Sequence, residues 1–424
     1  MRSFWHGLGV WGVAWWGLCG TPAAQADEDW TLSGFGTVGV AKSDQPYRFQ
    51  RFIDGNGTLK RDTILGAQLD ARLATDWSAT LQTTLAPSLR HDGQWSAEVS
   101  WAFVSWRPDN DWLLRLGKQR IPLFLSSENR DVGQTYAFAR LPVEVYALSP
   151  TNDFTGASVS RTLQHGSAEW TGDLYAGRAQ FHVRNATRDL GSHFDSVHTD
   201  GLGAVLTWRN ANLTLRGGVH RARTERQDGR ALPVRYPLVQ SPMGIGGSYY
   251  QVSNALPGPG VPTTDHIVND VINLGLDARL APDWRVVAEL ARNIQHDTDL
   301  GYNTLGGYVA VLHTIGTWTP YVSLARLQTL GTPKRIWVDL EAHGGQGSDA
   351  LSVAQRAAAD SIQMADQTAL AIGVAWASGP RSQIKAEWQH TRVGARSFMI
   401  DNPPGDTIHR THINVLSLNY SFAF

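Results

Sequence analysis

The sequence predicts an all-β fold, a transmembrane antiparallel β-barrel of about 16 strands. Apolar residues recur at every second position, short and long connections alternate, and tryptophans flank the short connections. Composition points away from an ordinary soluble enzyme, because only 18% of the 424 residues are charged, while 42 are glycine and 17 are tryptophan. An average soluble domain has about 25% charged residues.

The N-terminus has the features of a cleaved secretory signal. Arg2 precedes an apolar stretch from Phe4 to Cys19, and the small-residue triplet Ala24-Gln25-Ala26 follows it. A membrane anchor is disfavoured because the stretch is shorter than the ~20 residues of a spanning helix and contains His6. We therefore expect residues 1–26 to be removed.

Residues 27–424 are expected to form a single barrel domain. Arg2 is the one charged residue of the leader, so 36 of the 37 basic residues remain against 38 acidic ones, a net charge of −2. This balance and the lack of a long basic run argue against nucleic acid as a partner. His182, His193 and His198 match no structural zinc spacing, so neither a metal nor a cofactor is predicted.

The order of the connections decides between a soluble sandwich and a membrane barrel. Both have alternating strands, but a barrel in the membrane turns apolar residues outward and sorts short turns and long loops to opposite ends. Seven tight turns alternate with eight longer connections, which gives an even strand number and places both termini at the short-turn end. The longer connections are 43–61, 89–96, 122–152, 181–195, 223–267, 296–302, 331–365 and 394–408. Within them, 223–267 is expected to lack regular structure and Ser352–Met364 to form a short helix.

Tryptophans next to the tight turns predict an aromatic girdle at one end of the barrel. The alternative is that each covers the end of a soluble core, but repetition around the ring favours the membrane interface. The residues are Trp77, Trp112, Trp208, Trp284, Trp318 and Trp376.

The opening Ser33-Gly34-Phe35-Gly36, the 16 segments and the closing Tyr420-Ser421-Phe422-Ala423-Phe424 resemble Gram-negative outer-membrane porins over essentially the whole mature chain. The resemblance implies a passive diffusion channel for small hydrophilic solutes and ions. It also implies export through the periplasm to the outer membrane, contact with lipid and lipopolysaccharide, and a homotrimer. Phe424 occupies the position that the barrel-assembly machinery recognises in that family.

The connection 122–152 is the third of the long loops, and the resemblance implies that this extracellular loop folds inward as a constriction loop. Its many apolar residues favour packing against the inner wall. Its charged residues are expected either at the narrowest point or in salt bridges that only hold the loop, with equal weight. They are Glu128, Arg130, Asp131, Arg140 and Glu144.

Strand parity places further charged residues in the lumen, because a charge on the lipid face costs about 2–4 kcal/mol near the midplane. Rows of opposite sign would produce a transverse field across the pore. The basic residues are Arg72, Arg115, Arg216, Arg279, Arg285 and Lys385, and the acidic ones are Asp70, Asp173, Asp277, Glu289 and Glu387.

Three alternatives to a general channel remain open. The protein could be a substrate-selective porin or a non-conducting barrel with a scaffold or adhesion role. A barrel hydrolase would need a nucleophile, a base and an orienting group. Ser417, Ser421, His409 and His412 lie near one another in sequence, but their spacing demands no catalytic arrangement, so no enzyme is predicted.

Overall fold

A computed structural model describes residues 29–149, 151–240, 248–255, 258–344 and 349–424. Sixteen antiparallel strands form a closed barrel in which each strand pairs with the next and the last pairs with the first. The strands are β1 Trp30–Ser43, β2 Ile64–Arg72, β3 Trp77–Pro87, β4 Trp95–Trp106, β5 Trp112–Arg120, β6 Asp153–His165, β7 Ala168–Thr187, β8 Gly191–Arg209, β9 Leu213–Arg226, β10 His266–Ala281, β11 Trp284–His296, β12 Asn303–His313, β13 Trp318–Thr329, β14 Ala365–Gly379, β15 Ser382–Ser397 and β16 His412–Ala423. The signal sequence predicted at residues 1–26 lies outside the described residues.

The two ends of the chain close the barrel. The amide of Phe424 donates to the carbonyl of Gly34 at 2.9 Å, and the amide of Gly34 donates back at 3.0 Å. The ring of Phe424 lies over Gly34, where a Cβ atom would come within 2.2 Å of it. Only glycine permits this approach, so the Ser33-Gly34-Phe35-Gly36 segment and the terminal aromatic residue belong to one closure contact.

The outer wall is apolar and the inner wall is polar. Leu116 on β5 and Leu274 on β10 are 69% and 59% exposed, whereas Thr37 on β1 and Ser421 on β16 are 5% and 0% exposed and face inward. A soluble barrel would show the opposite arrangement. The predicted fold class, a transmembrane antiparallel barrel, is therefore confirmed.

Aromatic residues surround the end of the barrel that carries the short turns. Trp77 stacks on Trp106 with ring centroids 5.8 Å apart, and Trp318 stacks on Trp376 at 5.5 Å. All four are exposed on the outer wall. Their amphipathic rings suit the boundary between hydrocarbon and water, as the girdle prediction requires.

Seven tight turns alternate with longer connections as predicted, except that β7 and β8 are joined by only three residues, 188–190. Three connections differ from expectation. Most of 181–195 is strand, because β7 and β8 continue past their neighbours. The connection 223–267 contains two short ribbons, Leu232–Pro233 with Thr263–Thr264 and Leu238–Gln240 with Ser248–Tyr250.

The third of these connections, 331–365, contains two helices. The helix expected near 352–364 is present as Ala350–Ser361, here α3. A further helix, Thr332–Gly344, here α2, precedes it and was not predicted. Among the described residues, no helix has the length and apolar character needed to cross a membrane.

Candidate functional site

The connection between β5 and β6 lies inside the barrel over its described residues, 121–149 and 151–152, and we name it the lumen loop. It contains a 3₁₀ turn at Gly133–Thr135 and a short helix, α1, at Val143–Tyr146. Phe124, Phe138 and Tyr146 belong to a buried cluster that also includes inward-facing residues of β11–β16. The inward fold of this loop follows from these contacts with the inner wall.

Glu289 of β11 joins the lumen loop to the wall. Its carboxylate accepts from the hydroxyls of Tyr146 at 2.8 Å and Tyr308 at 2.9 Å, and from the amide of Leu125 at 2.7 Å. Arg216 of β9 donates to the carbonyl of Pro122 at 2.8 Å. Glu289 and Arg216, both predicted to line the pore, thus hold the start and end of the loop.

Lys385 of β15 is 1% exposed and lies beneath the middle of the loop. Its ammonium group donates to the carbonyls of Gly133 and Phe138, the latter at 2.9 Å, and lies 4.1 Å from the ring centre of Tyr136. The backbone of the loop therefore satisfies the hydrogen-bonding capacity of a charged group that water does not reach. The structure places Lys385 between the inner wall and the loop.

Three further charged residues that were predicted to line the pore lie where the lumen loop contacts the rest of the barrel. Arg140 makes a two-pronged pair with Asp62 of the first long connection, at 2.8 and 2.6 Å. Glu387 accepts from the hydroxyl of Tyr321 at 2.7 Å, and Glu144 accepts from Gln367 at 2.7 Å. Arg140 is thus in a salt bridge, whereas Glu387 and Glu144 accept hydrogen bonds from uncharged side chains.

A second group of predicted residues remains accessible at the free edge of the loop. Glu128 has a side chain that is 62% exposed, and its carboxylate lies 3.6 Å from the guanidinium of Arg115 on β5. Asp131 binds Arg120 at 2.6 Å and is 4.0 Å from Arg130. The pair Arg115–Glu128 is thus the contact at which the loop edge approaches the uncovered wall.

The wall that the loop leaves uncovered is β2–β6, and its strands β2–β5 line, together with the first residues of β1, a cavity of about 760 Å³ toward the short-turn end. Asp70 accepts from Gln68 at 2.7 Å and Thr80 at 2.6 Å. Arg72 also lines the cavity, and its side chain is exposed. A register shift between β3 and β4, after Gln82, turns two aromatic side chains of β4 toward the lumen. Strict alternation along β4 without this shift would place both side chains in the lipid. These are Trp101 and Phe103.

The remaining predicted charges lie lower in the barrel or at its turns. Arg285 pairs with Asp277 at 2.6 Å, and Asp173 accepts from Ser160 at 2.6 Å. Arg279 is exposed next to a tight turn. They do not meet the lumen loop.

The histidines and serines of the hydrolase alternative lie on opposite faces. Ser417 and Ser421 are buried on the inner wall, where Ser417 accepts from Arg140 at 3.3 Å. His412 is exposed and contacts His390 at 3.2 Å on the outer wall. This separation rules out a serine–histidine pair between them.

A hairpin that the sequence did not predict extends over the mouth of the barrel. The last β6–β7 pair is at Arg178 and the last β8–β9 pair at Val197, but β7 and β8 remain paired as far as Thr187 and Gly191. We name Ala179–Thr199 the mouth strap. Each arm of the strap spans about 30 Å at about 3.3 Å per residue, similar to the width of a tilted 16-stranded barrel.

The tip of the strap reaches the opposite wall. Arg188 donates to Asp360 of α3 at 2.7 Å, and Asp360 also accepts from Arg396 of β15 at 2.7 Å. Since β7 and β15 lie eight positions apart in a ring of 16, the strap crosses the mouth. Burial opposes ionisation of Asp360, but the hydrogen bond from Arg188 and the charge of Arg396 outweigh it and lower the pKa of this carboxyl.

The middle of the strap is held by Arg184. Its guanidinium binds Asp92 of the second long connection at 2.9 Å and Asp401 of the eighth at 2.6 Å. Arg51 binds Asp92 as well, at 2.6 Å. Burial raises the pKa of Asp92, but the hydrogen bonds from Arg184 and Arg51 prevail and hold it at about 2.

Alternation of Phe181 and Val183 past residue 180 was the one sequence signal for the strap. His182, Arg184 and Asn185, which lie between and after these apolar residues, are residue types common in loops, so the sequence did not predict a strand here. The acidic partners come from connections more than 90 residues away in sequence, so the sequence could not identify them.

Comparison with known proteins gives the fold a reference. No protein-family model matches the chain, and no curated protein matches it. Among solved structures, an anion-selective porin from Comamonas acidovorans superposes with a TM-score of 0.51 and 10% identity, covering 93% of this chain and 99% of that one. The chain has the porin fold.

A second similar structure is that of OmpT, an outer membrane protein of Vibrio cholerae. A loop L8 deletion mutant of OmpT superposes with a TM-score of 0.50 and 11% identity, covering 94% of this chain and 100% of that one. OmpT expressed in the outer membrane gives a TM-score of 0.50 at 10% identity, covering 94% and 99%. At these identities the likeness concerns the porin fold alone.

Proposed function

We propose that the protein is an outer-membrane porin, a passive diffusion channel for small hydrophilic solutes and ions. The observation that carries the proposal is a polar wall left uncovered by the lumen loop. The loop packs on β9–β16 and β1, whereas β2–β6 carry exposed or half-buried polar side chains beside its free edge. Polar residues inside an apolar outer belt are the arrangement of a water-filled channel.

The pair Arg115–Glu128 would act on solutes in this passage. The two charges project from the wall and from the loop edge, and neither is buried. Neighbouring charges of opposite sign produce a local field that orients dipolar solutes in a narrow, low-dielectric passage. We propose this pair and Arg72 as the residues that solutes meet.

Other parts of the proposal follow from the porin resemblance. They are cleavage after Ala26, a homotrimer, contact with lipopolysaccharide, and recognition of Phe424 by the barrel-assembly machinery. The position of Phe424 supports the last, because its ring is 66% exposed directly after the final strand at the short-turn end. An exposed terminal aromatic residue is available to a partner before the barrel closes.

Single-channel current across a planar bilayer tests the channel. The refolded chain 27–424 is added to one side in asymmetric KCl, and folding is checked by heat-modifiable mobility. We expect stable ohmic steps with a measurable reversal potential. A correctly folded barrel that gives no steps at any voltage would overturn the channel and favour a scaffold role.

A further inference from the structure

Arginines on the outer wall near the long loops generally have acidic partners. Each guanidinium is bound by a carboxylate on the same or a neighbouring strand, so the outer surface there is locally neutral. The pairs are Arg178–Asp200 at 2.6 Å, Arg221–Asp270 at 2.7 Å, Arg223–Glu225 at 2.9 Å and Arg326–Asp366 at 2.5 Å.

The end of β15 and β16 is an exception. Arg392 lies opposite His412 in the register, and Arg410 follows, with its amide donating to the carbonyl of Gly394 at 2.7 Å. Within the described part of the chain, neither guanidinium has a carboxylate or another acceptor. Both side chains line the same cavity, so the two guanidinium groups can reach a common ligand.

Both arginines line a cavity of about 880 Å³ between α2, the connection 398–411 and the outer wall, which we name the rim cleft. Two of its carboxylates are already bound, Glu341 by Arg188 and Asp366 by Arg326. The third, Asp406, is exposed and accepts from the amide of Thr407. His409 and His412 add imidazoles that become cationic on protonation. The rim cleft thus has more free donors than free acceptors.

The surface adjoining the rim cleft is apolar. On the same outward column, Leu416 and Leu418 of β16 are 64% and 53% exposed, and Trp388 of β15 is 37% exposed. His390 stacks on His412 at 5.2 Å between the apolar residues and the arginines. One molecule lying along this column would contact apolar residues at one end and unpaired cations at the other.

We infer that the rim cleft binds the phosphate group of a phosphorylated lipid whose acyl chains lie on the apolar belt. Arg392 and Arg410 bind the phosphate, because guanidinium groups donate to phosphate oxygens in pairs. Trp388 and Leu416 contact the hydrocarbon. The inference uses the membrane setting of the proposed function but does not depend on conduction.

Native mass spectrometry of the refolded chain with bisphosphorylated lipid A tests the site. The double variant Arg392→Gln/Arg410→Gln should weaken lipid binding by at least about tenfold. Arg178→Gln is the matched control, because it removes an outward arginine that already has a partner, and it should bind like the unmodified chain. Dephosphorylated lipid A should bind the unmodified chain about as weakly as phosphorylated lipid A binds the double variant.

Equal lipid binding by the double variant, or equal binding of dephosphorylated lipid A, would overturn the inference. A competition arm separates the two sources of phosphate. If inorganic phosphate displaces lipid A at equal concentration, the cleft is a site for free phosphate and the lipid assignment fails. Channel steps in the double variant should be unchanged, so loss of conduction and loss of lipid binding are distinguishable outcomes.

Discussion

Lys385 shows how one buried charge positions the lumen loop. Replacing it in Lys385→Met leaves the carbonyls of Gly133 and Phe138 without a donor. Unsatisfied buried acceptors cost about 1–3 kcal/mol each, so we expect the free energy of unfolding to fall by about 2–4 kcal/mol. Urea titration followed by gel mobility measures this change. Lys42→Met, at an exposed residue with no side-chain partner among those described, should change stability by less than about 0.5 kcal/mol.

The residue scale also shows where sequence reasoning stops. Parity predicts Lys385, Glu387 and Glu289 on the inner wall, since alternation is a local property of each strand. It could not distinguish a lumen residue in water from one beneath a folded loop. That difference depends on partners such as Tyr321 and Gly133, which lie far away in sequence.

At the scale of elements, the mouth strap is expected to limit access to the lumen. Replacing residues 181–197 with Asn-Gly would join Gln180 and His198, which are opposite each other, through a two-residue turn. The barrel should remain folded, because nearly all of the β6–β7 and β8–β9 pairing lies below this cut. We expect larger single-channel conductance and faster swelling of liposomes in larger sugars. Unchanged conductance and swelling would mean that the strap does not restrict the passage.

Acid should release the middle of the strap. The pKa of Asp92 is about 2, below its usual value of about 3.9, so its contact with Arg184 contributes fully above pH ~3.9. The contribution is lost as the pH falls through about 2. Spin labels on Leu190→Cys and Pro404→Cys should therefore give a narrow distance distribution at pH 5 and a broad one near pH 2.

Asp92→Asn is the control for this titration, because it removes the ionisable partner of Arg184. In that variant the distribution should already be broader at pH 5. A narrow distribution at every pH in both chains would show that Asp92 does not hold the strap. In the chain 27–424 the spin labels attach only to the introduced cysteines, because Cys19 is the one cysteine in the sequence.

For the whole molecule, the apolar outer belt defines the environment in which the barrel is stable. Leu174 is 58% exposed on the outer wall, and Leu174→Arg should destabilise the membrane-inserted barrel by about 2–4 kcal/mol. Ser160→Arg on the inner wall, beside Asp173, should cost far less. Denaturant titration in lipid vesicles compares the two. Equal costs would argue against a lipid-facing outer wall.

The strand number, the sorting of loops and the inward third loop were predictable from sequence because each leaves a local signature. Period-two alternation marks strands, turn residues mark tight connections, and apolar residues in a long connection mark packing. The mouth strap and the rim cleft left no such signature. Both depend on contacts between connections far apart in sequence, such as Arg188 with Asp360 at the strap and Thr407 with Glu341 in the rim cleft.

The central claim is that solutes pass between the free edge of the lumen loop and the uncovered wall. Single-channel recording of Glu128→Cys during addition of a charged, thiol-reactive methanethiosulfonate tests it most directly. We expect a stepwise fall in current, because the attached group occupies the passage beside Arg115. The lipid-facing control Leu116→Cys should show no change. Current that is unaffected by modification of residue 128 would contradict this account of the passage.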